Sequence, residues 1–333
     1  MPSYFDENQG AFYRTPSWHG LEKMIMLNYP DSWQSAREMA ALTWDPVPKP
    51  VWDWQPDHEP DTYCPPQIIP GWQQIVRDDN AAVLSIQTES YRVITNTDLG
   101  GVVDTVMGSE WNTQQQIEGL FSLHGGRLVI CLIRNKKVHT PSYDPSPSLE
   151  YTAVCSRHDG SGGLKVLRTN VRVVCANTWG MAEHGSQDGK TSFTVRHTEN
   201  WDERVAEIRD QLAVADRANQ EYFTMSEELS LKKVTNAHRE RYLERFLPIG
   251  SDMSDRQKQN RQNEREQIRV ILGSPTCVGI DKTAYGLLQA SGEWCDHFRA
   301  YRKTDTYVTR NLVTWEPMKA RAMRLTKDLA GIK

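Results

Sequence analysis

Leu128-Val129-Ile130-Cys131-Leu132-Ile133 is an unbroken apolar run between Gly125-Gly126 and the polar stretch Arg134-Asn135-Lys136-Lys137. Alternate residues of a strand point to opposite sides, so a continuous apolar run suits a strand covered on both faces. Downstream, Leu149 to Cys155 predicts a second strand, and Leu164 to Ala176 predicts a third and a fourth, rich in β-branched residues. Asp159-Gly160-Ser161-Gly162-Gly163 between them carries the residues of a tight turn. An antiparallel sheet across residues 120 to 176 follows.

Working outward, residues 1 to 30 read as an extended arm ending in Tyr29-Pro30, and Asp31 or Ser32 is placed to cap a helix through Leu42. Trp44 to Pro70 is rich in proline, which predicts interrupted regular structure: a long ordered wrap anchored by its aromatic residues. Val83-Leu84-Ser85-Ile86 and Tyr91-Arg92-Val93-Ile94 read as short strands. Thr97 caps a helix to Met107, with Asp98 in its first turn. Beyond the sheet, Asn177-Thr178 reads as the start of a helix or turn ending near His184-Gly185, and Ser186 to Lys190 as a polar loop.

The remainder reads as helical. Thr198 to Leu229 is a long helix and Thr235 to Phe246 a second. Ser251 to Glu266 is a solvated helix or a mobile linker. Thr283 to Tyr301 is a buried helix with Leu287, Leu288, Ala290 and Trp294 apolar. Residues 312 to 330 form a final helix, basic on one side through Lys319, Arg321, Arg324 and Lys327. The fold class is therefore α+β: a central antiparallel sheet with flanking helices and a long helical C-terminal half. Three regions follow: an aromatic- and proline-rich arm over 1–80, an α+β core over 81–200, and a mainly helical region over 201–333 packed on the core.

A formal net charge of -4 excludes a globally basic nucleic-acid binder and leaves a local patch open. No apolar run approaches the roughly 18 residues of a membrane span. Met1 to Gly10, with Asp6 and Glu7, lacks the apolar stretch of a secretory signal. Cys64, Cys131, Cys155, Cys175, Cys277 and Cys295 include no Cys-x-x-Cys pair and read as reduced thiols, so a cytoplasmic location is expected. Trp18, Trp33, Trp44, Trp52, Trp54 and Trp72 cluster early. They read as core or as a stacking platform for bases, and the acidic Asp45, Asp53, Asp57, Glu59 and Asp61 favour core.

Candidate chemistry is sparse. His158-Asp159 and Asp296-His297 are adjacent pairs, and neighbours in sequence do not face each other on a helix or a strand. A metal site would need His158, His197 and His297 to converge in space with Asp159 or Asp296; otherwise these histidines satisfy backbone groups. No clustered ligand spacing exists, so no metal or cofactor is expected. Cys175 precedes an expected helix start, which would activate a thiol, but it also ends an apolar strand that would bury it. The glycine-rich turns match no phosphate-binding motif. Arg256, Lys258, Arg261, Arg265 and Arg269 outnumber Glu264 and Glu266, and Arg299, Arg302, Lys303 and Arg310 form a second basic cluster. Both are candidates for phosphate contact or for a solvated face.

Six separated words recur along the chain: Ser17-Trp18-His19-Gly20-Leu21, Tyr91-Arg92-Val93-Ile94-Thr95-Asn96, Ser156-Arg157-His158-Asp159-Gly160-Ser161, Arg172-Val173-Val174-Cys175-Ala176-Asn177-Thr178, Arg196-His197-Thr198 and Tyr285-Gly286-Leu287-Leu288-Gln289-Ala290, the last running on to Cys295-Asp296-His297. In this order the chain resembles the phage/plasmid-like protein family, domain of unknown function 932. The resemblance implies a gene carried by a phage, prophage or plasmid, acting in a bacterial cytoplasm; it implies no catalytic residues. The function expected is a nucleic-acid-binding accessory in mobile-element DNA metabolism, binding or annealing single-stranded DNA, with a homo-oligomer similar in architecture to phage annealing proteins. The alternatives are an enzyme acting on a nucleotide or nucleic acid through His158, Asp159, His197 or His297, and a module that binds a host protein. The words nominate a pocket of Trp18, His19, Arg157, His158, Asp159, Asn177 and His197.

Overall fold

The computed structural model describes residues 10–13, 25–26, 28–53, 66–108, 115–172, 177–180, 192–195, 207–299 and 317–332. In chain order the first elements are β1 (Gly10–Tyr13), β2 (Ile25–Met26), α1 (Trp33–Met39), β3 (Pro46–Trp52), β4 (Ile68–Arg77), β5 (Val83–Thr88) and α2 (Asp98–Met107). Next come β6 (Gln115–Leu123), β7 (Leu128–His139), β8 (Ser148–Arg157), β9 (Leu164–Arg172), β10 (Asn177–Gly180) and β11 (Ser192–Val195). The helices α3 (Ile208–Leu231), α4 (Asn236–Phe246), α5 (Asp255–Leu272), α6 (Ala284–Glu293) and α7 (Pro317–Ala330) follow. The fold is α+β. Among the described residues no helix is long and apolar enough to cross a membrane.

The main sheet runs β10-β9-β8-β7-β6-β1-β2, with β11 also on β9. Every pairing in it is antiparallel except that of β1 with β2. The apolar run at 128–133 forms the first half of β7, and its two faces enter different cores. Val129, Cys131 and Ile133 pack with α1, α2 and the smaller sheet, through Ala36, Val102, Val103, Trp44 and Ile75. Leu128, Ile130 and Leu132 pack with Phe12, Phe121, Tyr151 and Leu167. Each of these side chains is removed from water, worth about 1.5–3 kcal/mol apiece for the valines, leucines, isoleucines and phenylalanines.

Four expectations are corrected. Tyr91–Ile94 pairs with no strand; only Val83–Thr88 does. Asn177–Gly180 is a strand rather than a helix start, and Asn177 is paired with Arg172 of β9. The strand β3 forms through the proline-rich stretch. It is the edge of a three-stranded antiparallel sheet, β3-β4-β5. Pro46, Pro48 and Pro50 fall on alternate positions, so all three missing N–H groups lie on one side of the strand, the side away from β4. The flanking Asp45 and Asp53, of opposite parity, turn their amides toward that sheet, where they bond to Asp78 Oδ1 (2.9 Å) and the Gln67 carbonyl (2.8 Å). Finally, α7 is not basic on an open face at Lys319. That ammonium is buried against Asp296, 2.6 Å from Oδ1.

Helix starts follow local chemistry. Ser32 caps α1, and Thr235 caps α4 in a reciprocal box with His238. Ser254 and Gln257 form the same box at the start of α5, so the polar 251–266 stretch is helical from Asp255 onward. At α2 the capping bonds lie two residues earlier than expected. Thr95 and Asp98 bond each other's amides at 2.9 Å, while the Thr97 hydroxyl donates to Asp45 at 2.6 Å. The helix α3 joins the two halves: Ile208 enters the core beneath the sheet, and Tyr222, Phe223 and Leu229 enter the core of the helical half. Every residue of α6 is buried there, and a single π-type turn, Trp294–Phe298, continues it.

Candidate functional site

Among the described residues, two of the six words meet through a side-chain hydrogen bond. Asn96 ends one and His158 lies in another, and the Asn96 Oδ1 is 3.0 Å from His158 Nε2. The Asn96 amide donates to the Trp44 carbonyl at 2.9 Å, and its own carbonyl accepts from Trp33 Nε1 at 2.9 Å. The His158 main chain is held on both sides, by the Arg127 carbonyl (2.9 Å) and the Ser85 hydroxyl (2.9 Å). The indole of Trp44 stands edge-on to the imidazole, and the Arg77 guanidinium lies 4.3 Å over the same indole. This buried junction locks the β8–β9 turn to α2 and the smaller sheet. Its histidine satisfies core polar groups and is closed to solvent.

The turn then presents its remaining residues outward. Asp159 Oδ1 accepts from the Ser161 amide (2.9 Å) and hydroxyl (2.6 Å), an Asx turn. Gly160 has φ +71°, and a side chain there would collide with the Gln87 carboxamide. The Arg157 side chain runs over Gly162 and reaches Ser161 Oγ (2.9 Å) and Asp159 Oδ2 (3.5 Å). Lys165 is directly opposite Cys155 across the ladder, so Arg157, Cys155 and Lys165 share one face. Burial holds the Lys165 ammonium below the ordinary lysine range, and repulsion from Arg157 pushes the same way. Burial also pushes the Cys155 thiol up to about 12 despite these two cations. Two cations on one sheet face beside a glycine-rich turn make a place where an anion lowers the electrostatic energy.

Of the other nominated residues, Trp18, His19 and His197 lie outside the described residues, as do Arg302, Lys303, Arg310 and Cys175. Asn177 sits at the far end of β9 from Lys165, about 23 Å along the strand at 3.3 Å per residue, and so away from Arg157 and His158. Among the described residues no three His, Cys, Asp or Glu side chains gather closely enough to hold a metal ion.

Four of the five basic residues nominated on α5 are engaged within the chain. Arg269 makes two bonds to Glu240 (3.0 and 2.6 Å) and one to Glu266 (2.8 Å). Arg261 meets Glu264 at 2.7 Å, Lys258 is 4.0 Å from Asp255, and Arg265 donates to the Leu247 carbonyl at 3.0 Å. Arg256 is exposed, and Arg299 follows the π-type turn, its amide bonded to the Trp294 carbonyl at 2.8 Å.

One constellation escaped the sequence analysis. The face of the sheet that carries Val129 and Ile133 turns polar farther along, at Asn135, Glu150, Thr152, Arg168 and Asn170. Asn135 Nδ2 donates to Glu150 Oε1 at 2.7 Å, Arg168 bonds Thr152 Oγ1, and Asn219 of α3 bridges Glu150 and Asn170. All are buried, so they fix α3 on the sheet. The available signal was polar residues at core-facing parity within otherwise apolar strands.

Together these features define an α+β protein whose antiparallel meander is clamped to an N-terminal layer by a buried Asn–His pair. Residues 83–315 match the family described as Domain of unknown function (DUF932), and the chain belongs to that family. No curated protein and no solved structure matches it.

Proposed function

We propose that this protein is a nucleic-acid-binding accessory of a phage or plasmid, acting on single-stranded DNA in the bacterial cytoplasm, and that its phosphate contacts fall at the β8–β9 turn. The observation that carries this is the Arg157–Lys165 pair on one sheet face beside the Gly160–Gly163 turn. A bound phosphate relieves the repulsion between the two cations, and affinity then falls with salt as counterions are released. The mobile-element origin is supported by the six ordered words. Arg261 and Arg269 of α5 are held by carboxylates at 2.6 to 2.8 Å, closer than the 3.5 Å between Arg157 and Asp159, and so contribute less to binding.

The test is fluorescence anisotropy with labelled single- and double-stranded DNA and RNA across a salt series. Wild-type protein binds single strands with a steep salt slope. Arg157→Ala combined with Lys165→Ala weakens binding and flattens the slope by up to about 1.4, at about 0.7 per phosphate contact. Arg261→Ala, Arg265→Ala and Arg269→Ala together leave it unchanged. Absence of binding at low salt, or full binding by the Arg157/Lys165 variant, removes this reading.

A second reading rests on a separate surface. The smaller sheet displays Trp52 (53% exposed), Trp72 (47%) and Ile86 (57%), with Ile68 and Val83 also exposed. Trp72, Gln74, Ile86 and Lys49 share its outer face by register. Such an aromatic and aliphatic surface with one cation suits a host protein partner better than a phosphate backbone. Trp72→Ser with Ile86→Ser then abolishes a stoichiometric complex with a host protein while single-strand binding persists; loss of neither or of both counts against it.

A further inference from the structure

The helical half contains a cleft of about 250 Å³ bounded by α4, α5 and the start of α6, remote in sequence from the β8–β9 turn. Its floor is apolar: Leu243, Ile268, Leu272 and Leu287, all buried. Arg239 stands on its wall. One guanidinium nitrogen, Nη2, donates to the Asp281 carbonyl at 2.9 Å, and Nη1 reaches Asn236 Oδ1 at 3.4 Å. The third, Nε, is buried without an acceptor. Both partners of Arg239 are therefore neutral oxygens. Of the acidic residues lining the cleft, Glu240 is engaged by two bonds from Arg269 on the opposite wall, which hold its carboxyl below the usual glutamate range. Asp281 meets Arg239 through its main-chain oxygen.

A buried cationic donor without its acceptor is costly, and a carboxylate is the acceptor that a guanidinium binds most strongly. The apolar floor adds a second requirement. At roughly 30 Å³ per water the cleft holds about eight water volumes, the size of a short branched chain or a single ring. We infer that this cleft binds a small carboxylate with a compact aliphatic or aromatic body, the carboxylate pairing with the Arg239 guanidinium and the body resting on Leu243, Ile268, Leu272 and Leu287. The site is independent of nucleic-acid binding.

The experiment is a ligand-observed NMR titration of the full chain with 4-methylpentanoate and benzoate, and with 4-methylpentanamide and benzamide as neutral matches. Both carboxylates bind saturably, and each carboxamide binds at least about tenfold more weakly, the loss of a charge-assisted bond. Arg239→Gln removes the charge and weakens carboxylate binding by a similar factor. Asn236→Trp, at an exposed position on the rim, obstructs the mouth and weakens all four probes. Lack of saturable carboxylate binding, equal affinity for acid and amide, or wild-type affinity in either folded variant overturns the inference. Should Arg239→Gln not fold, the acid–amide comparison on wild-type protein and the Asn236→Trp titration decide it alone.

Discussion

Asn96 and His158, 62 residues apart, are joined by a buried hydrogen bond of 3.0 Å. Because the Asn96 amide donates to the Trp44 carbonyl, its Oδ1 faces the imidazole, and His158 Nε2 carries the shared proton. This one side chain links three segments: the loop before α2, the start of β3 and the β8–β9 turn.

Asn96→Ala leaves the Trp44 carbonyl and the His158 Nε2–H without their partner, and opens a small void. The expected cost is about 2–4 kcal/mol, read as a lower urea midpoint with an unchanged m-value. A loss under about 0.5 kcal/mol would show that packing alone holds the turn.

Asp296 and Lys319 form an ion pair in the helical core, their side chains 1% and 3% exposed. Asp296→Asn strands the ammonium and costs about 3–5 kcal/mol. Asp296→Leu with Lys319→Met restores most of the stability, since the pair's own desolvation offsets much of its attraction. A double-mutant cycle measures the coupling; additive effects would contradict it.

The prolines of β3 turn an edge strand into a poor template. Replacing Pro48 and Pro50 with Thr supplies amides along the outer edge, and light scattering then shows concentration-dependent association beyond the wild-type state. Identical mass distributions for wild type and variant would mean that another feature guards this edge.

Glu227 accepts from the hydroxyl and the amide of Ser142, which hold its carboxyl below the usual glutamate value. A depressed carboxyl contributes stability that is present above its unfolded pKa and is lost as pH falls through its folded one. The stability gap between wild type and Glu227→Gln is therefore constant from pH 7 to about 5 and narrows at lower pH. A gap that widens on acidification would reverse the assignment.

Much of the architecture was legible in local pattern. The run at 128–133, the Asp159–Gly163 turn, the cap at Ser32 and the helix that follows Thr235 come from residues a few positions apart. The misreadings share a cause. Pro46–Trp52 carries a strong breaker signal, yet whether proline disrupts a strand depends on which edge its nitrogen faces, and pairing with β4 decides that. Asn177–Gly180 is a strand because β9 offers a free edge there. The bond from Arg269 to Glu240 spans 29 residues, so no local pattern displays it.

By itself the sequence determined the α+β class, the doubly covered central strand and the turn that follows β8, all set by backbone preference and by apolar periodicity over short spans, and its six ordered words carried the family resemblance. Only the tertiary structure decided which polar groups remain available. His158 became a core lock, Lys319 an inward charge, and Arg261 and Arg269 of α5 were paired with carboxylates, while Arg157 and Lys165 came to share one sheet face and Arg239 to line a cleft. The reason is that a side chain's chemistry depends on the charges and acceptors brought within a few ångströms of it, and residues far apart in the chain supply them.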